Sequence, residues 1–234
     1  HGAAYSVNRG LWGTTVGGSE TLSSQGTIPE EIWPLSGGQM TKNLPERILT
    51  VTFEAGIPVA INGNQLAPVD LISTLEEIGS EYAIGRGIHV GDTILGIKGR
   101  VAFEAPAAEI LINAHRELEK IVLSGRQLSQ KQVLASSYGE LVHSGSYLDP
   151  VCRDIEAYLD SSQNHVTGTV TLALTAGRIF VNGAGSEYSL MSASRSHYGE
   201  ATQDWSARDA AGFCKMLSVP AALYQIADSQ SEEA

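Results

Sequence analysis

Residues 82–119, YAIGRGIHVGDTILGIKGRVAFEAPAAEILINAHRELE, constrain the fold more than any other stretch of the chain. Gly85, Gly87 and Gly91 permit backbone angles that a residue with a Cβ avoids, so the chain can pass close to a ligand or another backbone there. An apolar strand is expected at 93–97, then a short basic loop in which Lys98 and Arg100 flank Gly99. Pro106 suits the first turn of a helix, where a missing N–H costs nothing. Ala107, Ile110, Leu111, Ala114, Leu118 and Ile121 then recur at three- and four-residue steps, which predicts a single buried helical stripe.

Two hairpins are legible elsewhere. Residues 48–54 alternate, Ala55-Gly56 turns, and 57–61 returns before Asn62-Gly63. Residues 170–174 alternate in the same way, Ala176-Gly177 turns, and 179–181 returns before Asn182-Gly183. Both are expected to give strands to one antiparallel sheet. Helical spacing marks Val69, Ile72, Leu75 and Ile78, and a further helix from Leu128 to Val142 that stops near Gly145. Asp149 is a candidate N-cap with Pro150 behind it, and Val151, Ile155 and Leu159 form the expected stripe. Ser206 is a candidate cap for a helix carrying Phe213, Met216 and Leu217, with a second helix from Pro220 to Asp228 and a solvated tail. Hairpins and helix runs without strict alternation predict an α+β fold: a mixed or antiparallel sheet packed by several helices, with a C-terminal helical arm. Residues 1–45 show little periodicity. Residues 5–16 read as a partly buried, ligand-facing segment, 17–26 as a flexible loop, 29–34 as one helical turn between prolines, and 36–43 as a linker.

Composition removes several function classes. A net charge of −11 and a pI near 4.9 argue against a sequence-independent nucleic-acid binder. No apolar run approaches the roughly 18 residues of a membrane span, and the start lacks an apolar signal region. Cys152 and Cys214 read as two buried reduced thiols rather than a disulfide. The expected setting is cytoplasmic, and because the chain begins with His, an upstream segment is expected. Gly85-x-Gly87-x-x-x-Gly91 has the wrong final spacing for a dinucleotide fingerprint. The histidines, His197 among them, are not at metal-ligand spacing, and no G-x-S-x-G occurs. His115 reads as a packed or capping side chain, and Lys98 and Arg100 as ion-pair partners, with Glu104 one candidate acid.

Ile84-Gly85-Arg86, Gly96-Ile97-Lys98-Gly99-Arg100, Phe103-Glu104-Ala105-Pro106 and Ala114-His115-Arg116-Glu117-Leu118-Glu119 together resemble the synthetase domain of the argininosuccinate synthase family, in its bacterial branch. The resemblance covers nearly the whole chain and implies a synthetase and multimerisation domain over 1–217 with an arm and tail over 218–234. In that family the arm reaches neighbouring subunits of a homotetramer. The reaction it implies is a C–N ligation of citrulline to aspartate. ATP, with Mg²⁺, first adenylates citrulline and releases pyrophosphate, and the aspartate amine then displaces AMP. The family's phosphate cradle has the form S-G-G-x-D-[ST] after a strand. Ser36-Gly37-Gly38-Gln39-Met40-Thr41 is a near match, but Met40 holds the acidic position and no strand precedes it. The nucleotide is therefore expected on another, N-terminal domain, and the isolated chain is expected to be inactive.

What the resemblance carries over is part of a citrulline site. Tyr5-Ser6 and Leu11, with Thr15 in the second hydroxyl position, fit the family's spacing, so Ser6 and Thr15 are the implied contacts. Two departures stand beside them: Gly91 and Phe103 occupy the positions of a Glu and a Tyr that touch citrulline in the family. Asp92 is the candidate substitute carboxylate. No catalytic or metal-ligating residue is assigned. A non-catalytic assembly or binding module derived from the same domain is the alternative reading.

Overall fold

A computed structural model of the chain describes residues 5–194 and 204–232; His197 lies outside them. The elements run β1 (Tyr5–Gly10), β2 (Gly13–Gly18), β3 (Arg47–Glu54), β4 (Ile57–Ile61), β5 (Asn64–Gln65), α1 (Pro68–Glu81), β6 (Arg86–Asp92), β7 (Lys98–Glu104), α2 (Pro106–Val122), α3 (Gly125–His143), α4 (Pro150–Gln163), β8 (Gly168–Thr175), β9 (Arg178–Gly185), α5 (Leu190–Ala193) and α6 (Ala207–Glu232). The strands form two antiparallel sheets, ordered β1-β2-β7-β6 and β5-β4-β3-β8-β9, so the fold is α+β as expected. The chain divides into two compact units, residues 1–190 and 191–234.

The five-stranded sheet joins the two hairpins through β3 and β8, with Leu49 opposite Leu172 and Val51 opposite Val170. Alternation turns Leu49, Val51 and Phe53 inward, against Leu71 and Leu75 of α1 and Ile110, Ala114 and Leu118 of α2. The turns of the two hairpins differ. Ala55 and Gly56 both have positive φ, 46° and 81°, a primed hairpin turn, whereas in the second turn only Gly177 does. Asn62-Gly63 is a turn, but Asn182 sits at a bulge, because Leu172 pairs with Val181 and Thr171 with Gly183.

α2 begins at Pro106 and buries Ala107, Ile110, Leu111, Ala114 and Leu118, as its spacing predicts. Asp149 accepts from the Val151 N–H at 3.0 Å, but the buried stripe of α4 is Cys152, Ile155 and Ser162, while Val151 is exposed. α3 buries no residue fully; its capping box pairs Ser124 with Gln127. In the second unit, Ser206 and Asp209 exchange bonds at the start of α6, which continues through Pro220 to Glu232 as one helix rather than two. Cys214 is exposed and Cys152 buried, so only one of the two thiols is the inert core residue expected; both are free. No described helix is long and apolar enough to cross a membrane.

The central stretch is where expectation and structure part. Residues 93–97 are the turn of a hairpin, and 98–104 are its second strand. Ile94, Leu95 and Ile97 are exposed, so their apolar run is not a buried strand. A run of apolar residues alone does not distinguish a strand from a projecting turn.

Candidate functional site

Residues 5–18, read as part of an aperiodic stretch, form the β1–β2 hairpin of the four-stranded sheet. Its turn depends on Gly13, whose φ is +128° and where a Cβ would lie 1.9 Å from the Glu104 carbonyl oxygen. Register sorts the side chains of this sheet onto two faces. Ser6 pairs with Gly17, Asn8 with Thr15, Thr15 with Phe103, and Phe103 with Gly87, so Ser6, Asn8, Thr15 and Phe103 share one face. The Phe103 ring lies over Gly87, where a Cβ would come within 2.4 Å of it.

Residues one step along point the other way. Thr14, Val16, Ala102 and Glu104 are buried, and Val16 and Ala102 pack with Ile28 and Trp33 into a small second core. At its floor Glu104 is fully buried. Its carboxylate accepts from the Thr14 hydroxyl at 3.3 Å, the Leu35 N–H at 2.8 Å and the Ser36 hydroxyl. Arg86 stands 4.0 Å from the same group and donates to Ser36 Oγ at 2.7 Å and to both oxygens of Glu30, at 2.6 and 2.9 Å. These Arg86 bonds hold the Glu30 carboxyl below its usual pKa.

This network corrects two expectations. Residues 36–43 are not a linker: Ser36 is buried, and the Gly37 and Gly38 N–H groups donate to the Trp33 carbonyl and Glu30 Oε1. A phosphate cradle needs free N–H donors, and these are committed, so the segment does not fit ATP. Nor do Lys98 and Arg100 pair with Glu104. Lys98 meets Asp92 at 2.6 Å, and Arg100 donates to the carbonyls of Glu20, Ser23 and Gly26, which pins 19–26 rather than leaving it a flexible loop. No group of three or more His, Cys, Asp or Glu suited to a metal ion occurs among the described residues.

The open face holds a cavity of about 480 Å³ whose lining includes Asn8, Trp12, Thr15 and Phe103. Asn8 Nδ2 donates to Thr15 Oγ1 at 3.5 Å. Ser6 lies on the same face two residues along β1, roughly 7 Å from Asn8 by strand geometry. Asp92 is placed differently. It ends β6, the opposite edge strand, and its register sets it on the other face, paired with Lys98. Gly91, not Asp92, shares the face of Thr15, and His89 Nε2 would stand 2.4 Å from any Cβ there. Thus Ser6 and Thr15 are brought onto one surface and Asp92 is not. Asn8 was missed, although alternation across Ser6, Asn8 and a two-residue turn was there to find it. His115 is packed, as expected: it meets the Phe53 ring at 5.4 Å and Gln163 Oε1 at 2.9 Å.

Residues 5–224 match the family described as arginosuccinate synthase C-terminal domain. The chain belongs to that family. An argininosuccinate synthase of Methanocaldococcus jannaschii is 36% identical over 95% of this chain and 55% of its own length. That of Xanthomonas campestris is 36% identical over 94% of this chain and 55% of its own. One from Dehalococcoides mccartyi is 39% identical over 86% and 48%. The chain therefore spans about half the length of the curated argininosuccinate synthases it matches.

Proposed function

We propose that this argininosuccinate synthase C-terminal domain supplies the citrulline-facing wall of an ATP-dependent ligase that joins citrulline to aspartate with release of AMP and pyrophosphate, in arginine biosynthesis in the cytoplasm. The observation that carries the reading is the open sheet face on which Ser6, Asn8, Thr15 and Phe103 stand together above a buried, rigid floor. Hydroxyl and carboxamide groups both donate and accept, which suits a ligand carrying charged ends and a ureido group. The match over 5–224 favours this over a module that kept only the fold. The reading assigns ATP and its Mg²⁺ to another part of the enzyme, and the commitment of the Gly37 and Gly38 N–H donors supports this. The proposed domain limits are 1–217 and 218–234. The end of α6 is proposed as the arm of a homotetramer, a reading that the exposed Leu223, Tyr224 and Ile226 support.

Ser6 and Thr15 are the proposed citrulline contacts, with Asn8 orienting Thr15. Asp92, on the opposite face and paired with Lys98, is left out of the proposed site. The test joins the chain to the nucleotide-binding part of the enzyme and measures the citrulline KM. Ser6→Ala and Thr15→Ala should each raise it several-fold, as expected for one neutral hydrogen bond of about 0.5–1.5 kcal/mol. Asp92→Ala should leave it unchanged. An unchanged KM in both hydroxyl variants would remove the assignment, and pyrophosphate release by the unjoined chain would refute the two-part reading.

A further inference from the structure

A second cavity of about 480 Å³ lies beside the ligand face, walled by the α1–β6 connection, the first turns of α2 and the start of β9. Three charged side chains line it; Arg86 of β6 is committed to Glu30 and Ser36, which leaves two exposed charges of opposite sign on two further elements. Glu109 comes from the first turn of α2, and Arg178 opens β9. Asn113, one turn along, donates to the Glu109 carbonyl at 2.8 Å and to Glu109 Oε1 at 2.9 Å, which fixes that carboxylate and leaves Oε2 without a partner among the described residues. The Arg178 guanidinium stands 6.0 Å from the Phe180 ring and, among the described residues, forms no ion pair or hydrogen bond. The two charges thus line one cavity without pairing across it.

We propose that this cavity binds a free α-amino acid with an apolar side chain, Glu109 taking the ammonium group and Arg178 the carboxylate. A lone anion would meet the Glu109 charge and a lone cation the Arg178 charge. A zwitterion satisfies both, and charge-assisted bonds to each end are the strong ones. Met40, Phe103 and Ile179 supply the apolar part of the wall and select the side chain. The volume falls within the range of small-molecule pockets. Ala83, which also lines the cavity, is held at φ 52°, an uncommon conformation for a residue with a Cβ. Phe103 faces both this cavity and the one beside Thr15, so occupancy of one bears on the other through a shared ring. The inference does not depend on the citrulline reading.

The test is calorimetric titration of the 234-residue chain with L-leucine, isopentylamine (no carboxylate) and 4-methylpentanoate (no amine). L-Leucine should bind, and each analogue should bind at least about tenfold more weakly, the effect of one lost charge-assisted contact. Glu109→Gln and Arg178→Gln should each weaken L-leucine by a similar factor, with folding checked by circular dichroism. Ser6→Ala and Thr15→Ala should leave it unchanged. Absence of L-leucine binding, or equal binding by either analogue, overturns the proposal without requiring any variant to fold. Loss of L-leucine binding in Ser6→Ala or Thr15→Ala, with Glu109→Gln and Arg178→Gln unaffected, also overturns it and assigns the amino acid to the ligand face.

Discussion

Replacing Glu104 by Gln tests whether the sheet bearing the proposed ligand face is held from beneath. The carboxylate is fully buried and accepts from Thr14, the Leu35 N–H and Ser36, with Arg86 4.0 Å away. An amide of the same shape keeps one acceptor oxygen but turns an NH₂ toward donors, leaving at least one buried donor unmet. Each unsatisfied buried group costs about 1–3 kcal/mol. Removing one partner of a buried ion pair costs about 3–5 kcal/mol when the other charge is stranded. Arg86 is not stranded, because Glu30 still meets it at 2.6 Å, so the lower range applies. The expected loss is about 2–3 kcal/mol, read as a shift in the urea midpoint at constant slope, or a fall in Tm of roughly 5–10 °C for a domain of this size. Thr14→Val should cost about 1 kcal/mol alone and less in the Glu104→Gln background, since the two share a bond. A Glu104→Gln loss below about 0.5 kcal/mol, or strict additivity with Thr14→Val, would refute the reasoning.

Arg100→Lys should cost about 1.5–3 kcal/mol and expose 19–26 to limited proteolysis, because an ammonium cannot reach the three carbonyls that the planar guanidinium spans. Ala55→Asn should stabilise the chain by roughly 0.5 kcal/mol, since Ala55 holds a left-handed conformation that Asn tolerates better; Ala176→Asn should give no gain, and thermal melts compare the two. Desolvation holds the His115 pKa below its ordinary 6.5, outweighing the Glu119 charge that raises it. The unfolded chain therefore takes up a proton first, so stability should be full above about pH 6.5, fall as pH drops below it, and level off once the folded imidazole titrates. In His115→Gln the slope of Tm against pH across that window should shrink.

How much of this was legible depended on whether the signal was local. α2 could be read from Pro106 and its stripe because a helix buries one face by spacing alone, and Leu118 and Ala114 lie where the period puts them. The β3–β4 and β8–β9 hairpins were equally open to reading, since alternation and the Gly-containing turns lie within a few residues of one another. The β1–β2 hairpin was not, because its open face carries Ser6, Asn8 and Thr15 and its period-two pattern has few apolar residues to mark it. Residues 93–97 misled for the opposite reason: they are apolar yet exposed at a turn.

By itself the sequence determined the α+β class of the fold, the hydroxyl pair Ser6 and Thr15, and the identity of Gly91 and Phe103. Only the tertiary structure decided that Asp92 faces away from that pair, and that Ser36 and Gly38 are bound to Glu104 and Glu30 rather than free for a phosphate. The physical reason is parity and distance. One residue of register reverses the side of a strand, and the network joining Glu30, Ser36, Arg86 and Glu104 spans dozens of residues of chain that no local pattern encodes.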